Sequence, residues 1–183
     1  MRMGEQKKLA EYWAKANRRT SHKPEYLDYV LIKKMLRHLG RVNDKKILEI
    51  GCSEGVFLES FKKKGAEVYG MDISQESLHI AKKNGIDAVC GDCRNLPYKN
   101  EEFDVVYSVG VVEHIKETKL AIQEHLRVCK KNGIAIIIVP NRLSPYFFLA
   151  FSYYFFNQGF KYGLMYTKGK SYTIKGILKL CPD

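Results

Sequence analysis

The run Ile47-Leu48-Glu49-Ile50-Gly51-Cys52-Ser53-Glu54-Gly55-Val56-Phe57-Leu58 constrains this chain most. It reads as a buried strand, a glycine turn and a helix start. An apolar run ending in Gly-x-x-x-Gly lets the backbone turn tightly and lets a ligand lie against exposed N–H groups. Two nucleotide-binding patterns compete for it. The dinucleotide fingerprint G-x-G-x-x-G needs glycines at 51, 53 and 56, and the last two are Ser53 and Val56. The acidic pattern E-x-G-x-G-x-G is met by Glu49, Gly51 and Gly55, with only Ser53 departing. The acidic pattern fits better.

Beyond this run, strand and helix signals alternate. Helices are expected over Glu5 to about Asn17 and Tyr26 to Leu39, with Gly40 as a stop. Then come a strand at Ile47–Ile50, a helix at Gly55–Lys64, a strand at Glu67–Met71 and a helix capped by Ser74 and running to Lys83. Asp87–Cys90 and Phe103–Ser108 read as strands, Thr118–Lys130 as a helix, Asn132-Gly133 as a turn and Ile134–Val139 as a fifth strand. The unbroken apolar run of that last strand implies burial on both faces. Such alternation predicts an α/β, doubly wound and mainly parallel sheet with right-handed crossovers. The predicted organisation is an N-terminal helical cap over 1–40 and a single globular unit over 41–183. In such a sheet ligands bind beyond the carboxyl ends of the strands, which singles out the residues following each strand.

Those residues form a pattern. Asp72 follows the second strand, 21 residues after Gly51, and can accept from both hydroxyls of a ribose or cap the next helix. Gly91-Asp92-Cys93-Arg94-Asn95-Leu96-Pro97 follows the third, and Phe103-Asp104-Val105-Val106-Tyr107-Ser108-Val109-Gly110-Val111-Val112-Glu113-His114-Ile115 spans the fourth and its exit. Leu126-Arg127-Val128-Cys129-Lys130-Lys131-Asn132-Gly133 leads into the fifth. In order and spacing these segments, over about residues 40–180, resemble the Rossmann-like class of S-adenosylmethionine-dependent methyltransferases, in particular its small-molecule and quinone-biosynthesis members. The Ile47–Leu58 run resembles that family's motif I, Gly91–Pro97 its G-D-A-x-x-L-P segment, and the last two segments its F-D-x-V-x-S-x-x-V-L-E-H-I and R-V-L-K-P-G-G stretches.

The resemblance implies S-adenosylmethionine as cofactor, with contacts from Glu49, Gly51, Cys52, Ser53, Gly55, Asp72, Ile73, Asp92, Cys93, Ser108 and Val109. It places Glu49 near the methionine portion and Asp92 at the adenine amino group. Ser53 suits its place if the backbone keeps a negative φ there. His114 is the candidate catalytic residue, as a base with an imidazole that titrates near neutrality or as a structural neighbour of the cofactor. Some quinone O-methyltransferases hold a metal through Glu-His and a second Glu three residues earlier. Here Glu113-His114 is preceded by Gly110, and no metal is expected. The (N/D)-P-P-(Y/F) tetrad of DNA amino-methyltransferases is replaced by Ser108-Val109-Gly110-Val111. The resemblance also implies an antiparallel strand pair beyond Thr173–Leu180. The chain stops at Cys181-Pro182-Asp183, so either it is cut short there or the sheet edge is finished differently, and a sheet lacking that pair would carry an exposed edge.

Composition bears on compartment and acceptor. The first residues hold no apolar signal segment, and no run reaches the roughly 20 apolar residues of a membrane span. Five scattered cysteines fit reduced thiols, and Cys90-Gly91-Asp92-Cys93 reads as two loop thiols without a second pair to make a zinc site. A cytoplasmic location is expected. The net charge of +11 sits at the ends, with 13 Lys/Arg against 5 Asp/Glu over 1–46, 12 against 14 over 47–140, and 6 against 1 over 141–183. Basic ends attract phosphate, nucleic acid or an anionic membrane surface, or serve solubility alone. The aromatic block Tyr146–Phe156 has almost no polar face and reads as core or lid, a greasy acceptor pocket or a dimer contact. With Arg142, Lys161, Lys168 and Lys170 beside it, the block favours a small or lipid-like acceptor of anionic character, with peripheral membrane contact and homodimerisation open. RNA methylation, a catalytically inactive cofactor binder and, distantly, a nicotinamide-dependent dehydrogenase are the alternatives.

Overall fold

The computed structural model describes residues 10–12, 26–141, 143 and 172–180. The aromatic block at 146–156 and the basic residues Arg142, Lys161, Lys168 and Lys170 lie outside them. Five strands, β1 (Lys46–Ile50), β2 (Glu67–Asp72), β3 (Asp87–Cys90), β4 (Phe103–Val109) and β5 (Cys129–Ile138), form one sheet in the order β3-β2-β1-β4-β5. Every adjacent pair is parallel. The order reverses between β1 and β4, which is the switch point where a ligand crevice opens. Helices α1 (Tyr26–Leu39), α2 (Val56–Lys62), α3 (Gln75–Lys83), α4 (Thr118–Val128) and α5 (Ile174–Leu178) accompany the strands.

Alternating strand residues feed two cores. On one face Ile47, Val68, Val105 and Tyr107 pack with Leu58 and Phe61 of α2, Leu78 and Ala81 of α3, and Met35 and Leu39 of α1. On the other, Leu48, Ile50, Met71 and Val106 meet Ala121 and Val128 of α4 and the Leu96 loop. Ile47, Leu48, Ile50, Leu58 and Val106 are wholly buried, each stabilising the fold by roughly 1.5–3 kcal/mol. Two helix ends follow the sequence signals. The Gly40 N–H caps α1 on the Leu36 carbonyl at 3.0 Å, and Ser74 caps α3 by accepting from the Ser77 N–H at 3.3 Å.

Three expectations need correction. Helix α4 ends at Val128, and Cys129 and Lys130 already belong to β5. Asn132-Gly133 is not a turn before β5 but part of an irregular stretch inside it: Phe103 faces Cys129 while Val105 faces Ile134. Pairing of Cys129 with buried Phe103 captures the strand early, and the Asn-Gly signal survives only as a bulge. Finally, β5 is half-buried rather than covered on both faces, with Ile134 40% exposed, because it is one of the sheet's two edge strands among the described residues.

Candidate functional site

The strand–turn–helix built by residues 47–62 sets one wall of the site. The Gly51 and Cys52 N–H groups both donate to the Met71 carbonyl, at 2.7 and 3.0 Å, pinning the turn to the end of β2. Gly51 has φ +77°, and a Cβ there would stand 2.3 Å from Val111 Cγ2, so only glycine lets the turn meet the exit of β4. Ser53 departs from its expected backbone, with φ +49° instead of a negative value. That left-handed conformation costs a non-glycine residue about 1 kcal/mol, and the Ser53 N–H offsets it by donating to Asp72 Oδ2 at 2.8 Å.

Asp72 thus joins the turn to the second strand. Its Oδ1 accepts from the Ser74 N–H at 2.8 Å, while Ser74 itself caps α3. Burial pushes the Asp72 carboxyl up, and the N–H groups of Ser74, Ser53 and Ile73 pull it back. After β3, Asp92 receives the forked guanidinium of Arg94, with Nε donating to Oδ1 at 2.9 Å and Nη2 to Oδ2. After β4 the chain makes a single 3₁₀ turn, Val112–His114, that sequence periodicity did not signal because it is too short to carry any.

These ends enclose a crevice of about 220 Å³. Of the residues singled out from sequence, Gly51, Ser53, Asp72, Ile73, Asp92, Cys93, Val109 and His114 line it. Ile50, Met71, Gly91, Gly110, Val111 and Ile115 complete the lining. Glu49, Cys52, Gly55 and Ser108 stand behind it. Glu49 pairs in register with Tyr107 and is buried with it, where burial and then the Glu49 charge drive the Tyr107 hydroxyl far above its usual range. Gly55 supports the turn with φ +81°. Ser108 turns inward to His125, whose Nε2 lies 2.9 Å from Oγ. His125 Nδ1 is 2.7 Å from the Ala121 carbonyl, which only accepts, so Nδ1 carries the hydrogen and Nε2 accepts from the Ser108 hydroxyl. Burial pushes this imidazole down to about 4, so it is neutral and ties α4 to the end of β4. The clue to His125 in the sequence was a histidine on the apolar stripe of Ala121, Ile122 and Val128.

Burial governs the remaining chemistry. The Glu113 carboxyl is raised to about 7 by desolvation, and His114 is pushed below its usual range by the same cause. His114 Nε2 lies 4.0 Å from Glu113 Oε1. Burial lifts the Cys93 thiol to about 12 and Cys52 further, so neither is a thiolate nucleophile at neutral pH. Among the described residues no group of three or more His, Cys, Asp or Glu is spaced to hold a metal ion. A larger cleft of about 420 Å³ lies at the opposite end of the sheet, beside Arg127, Lys130 and Lys131. Arg127 and Lys130 there are bonded to Glu124 and Asp104.

The residues fit S-adenosylmethionine. A glycine turn presents backbone, Asp72 faces the crevice, and Val109, Val111 and Ile115 offer an apolar wall. Comparisons agree. A family model described as "Methyltransferase domain" matches residues 48–137. Over 110 residues the chain is 34% identical to a ubiquinone biosynthesis O-methyltransferase of Pelagibacter ubique, covering 56% of this chain and 45% of the relative. It is 39% identical over 95 residues to an uncharacterized protein of Methanocaldococcus jannaschii, covering 52% and 44%. The matches thus span less than half of either relative. A crystal structure from Thermotoga maritima, described as an S-adenosylmethionine-dependent methyltransferase and possible histamine N-methyltransferase, superposes with TM-score 0.65 over 96% of this chain and 76% of that one. At 24% identity it speaks for the fold. Over residues 48–137 the chain carries a methyltransferase domain of the Rossmann-like, S-adenosylmethionine-dependent class.

Proposed function

We propose that this chain transfers a methyl group from S-adenosylmethionine to a small or lipid-like acceptor, with a phenolic or quinone-like hydroxyl as the leading class. The observation that carries the reading is the convergence of Gly51, Ser53, Asp72, Asp92 and His114 on one crevice at the switch point. The name of the Pelagibacter relative supports a quinone-like acceptor.

When bound, S-adenosylmethionine supplies an electrophilic methyl on a sulfonium, and that is the hard part of the chemistry. The protein's task is to place and to exclude. Asp72 accepts from the ribose hydroxyls, and Asp92 reads the adenine amino group. Val109, Val111 and Ile115 keep water from the reacting centre. His114 is neutral at pH 7 because burial lowers its pKa, so it can take the proton that an acceptor hydroxyl gives up. Of the two aspartates that line the crevice, Asp72 is the one with no lysine or arginine partner among the described residues, which favours a cationic cofactor.

No described helix is long and apolar enough to cross a membrane. Cys52, Cys90, Cys93 and Cys129 are thiols, which supports a reducing, cytoplasmic setting. The test is turnover with S-adenosylmethionine carrying a labelled methyl, offered phenolic quinone precursors with and without an isoprenoid tail, and RNA. Label on a phenolic oxygen is the expected result. Label on RNA alone, or tight cofactor binding with no label on any acceptor, overturns it in favour of an RNA methyltransferase or an inactive cofactor binder.

A further inference from the structure

The crevice has two walls that are remote in sequence, and one side chain bridges them. Asp92 and Cys93 belong to the loop after β3, and His114 and Ile115 to the exit of β4. Arg94 forks onto Asp92, with Nε on Oδ1 at 2.9 Å and Nη2 on Oδ2, and its own N–H donates to the same Oδ1 at 3.0 Å. The remaining arm, Nη1, reaches across 23 residues to Glu117 Oε2 at 2.7 Å, in the turn that follows Ile115 and opens α4. The guanidinium side chain is 11% exposed and the Asp92 side chain 16%, so neither is a loose surface group. A planar fork fixes a carboxylate in both position and plane, which a single point charge does not.

We propose that Arg94 is a positioning residue for base recognition, orienting the Asp92 carboxylate toward the purine and holding the two walls of the crevice at a fixed separation through Glu117. The inference rests on the reading of Asp92 as the adenine contact given above. A fixed carboxylate accepts from an exocyclic amino group and repels an exocyclic oxygen. Adenine carries the first at C6 and hypoxanthine the second. The unmodified chain therefore discriminates between the two bases, and the discrimination depends on the fork. Breaking only the Glu117 arm leaves the fork on Asp92 and loosens the wall opposite.

The test is calorimetric titration with S-adenosylhomocysteine and with S-inosylhomocysteine. For the unmodified chain, S-adenosylhomocysteine binds at least tenfold more tightly. Arg94→Lys keeps the charge and most of the volume but cannot fork, and the ratio falls to about threefold or less. Arg94→Ala gives the same loss of ratio. Glu117→Gln weakens both ligands by a similar few-fold factor and leaves the ratio in place. A ratio unmoved in Arg94→Lys, or raised in Arg94→Ala, overturns the positioning role while the cofactor reading stands. Failure of the unmodified chain to bind S-adenosylhomocysteine overturns the cofactor reading and this inference together. Because the readout is a ratio of two ligands on one variant, a general loss of stability does not imitate it.

Discussion

The two ends of the sheet carry similar acids and use them differently. At the amino end Asp104 accepts from the Lys46 N–H at 2.9 Å and from Lys130 Nζ at 2.7 Å, and Glu124 takes Arg127 Nε at 2.6 Å. Burial alone would raise the Asp104 carboxyl, but Lys130 and the Lys46 N–H outweigh it and hold it below its usual range. At the carboxyl end Asp72 meets backbone N–H groups, and Glu113 meets His114 at 4.0 Å. Both acids are raised by burial. The amino end is neutralised and serves stability. At the carboxyl end Asp72 has backbone N–H partners and no lysine or arginine among the described residues, which suits a ligand bearing a sulfonium and an ammonium. Asp92 is the exception there, and its cation comes from the same loop.

The contrast can be broken at several points. Asp72→Asn is expected to weaken S-adenosylhomocysteine about 10- to 100-fold by calorimetry, as loss of a charged acceptor costs roughly 1.5–3 kcal/mol. Asp104→Asn at the other end should leave that affinity within about twofold and lower stability to denaturant by about 1 kcal/mol. Gly51→Ala should destabilise by roughly 1–3 kcal/mol in denaturant melts, because its Cβ meets Val111 Cγ2 and its φ is +77°. Equal stability in glycine and alanine forms would show that the turn has other ways to lie.

Glu113→Gln sharpens the electrostatic half of the comparison. A carboxyl raised to about 7 binds its proton more tightly folded than unfolded, so the native chain loses stability as pH rises from about 4.5 through 7. The amide escapes that loss. It should be more stable than the native chain by about 3 kcal/mol at pH 8, with the advantage gone by about pH 4.5. A difference independent of pH would refute the desolvated carboxyl. Smallest in effect is Ser53→Gly, which relieves a left-handed serine and should gain about 0.5 kcal/mol in thermal melts.

Much of this was legible in the order of residues. Tyr26–Leu39 and Asp87–Cys90 form with the bounds their periodicity and flanking breakers suggest, and Ser74 caps the helix it precedes. Acids placed after successive strands pointed to the crevice because parallel topology forces strand ends together. What stayed hidden was tertiary. Nothing local tells Asn132-Gly133 that Cys129 will be drawn into pairing with Phe103. Nothing local tells Ser108 that it will face His125 instead of the crevice, or Arg94 that it will span to Glu117. The positive φ of Ser53 follows from an N–H drawn to Asp72, a partner 19 residues away.

The central claim is that the carboxyl-end crevice binds S-adenosylmethionine through Asp72 and the Gly51 turn. Its most direct test is equilibrium titration of the unmodified chain with S-adenosylmethionine and S-adenosylhomocysteine, repeated on Asp72→Asn. The expected result is one saturable site per chain with Kd between about 1 μM and 1 mM, tighter for the cationic donor, and with that preference for the donor reduced when Asp72 loses its charge. No saturable binding, or binding and preference unchanged in Asp72→Asn, would contradict the account.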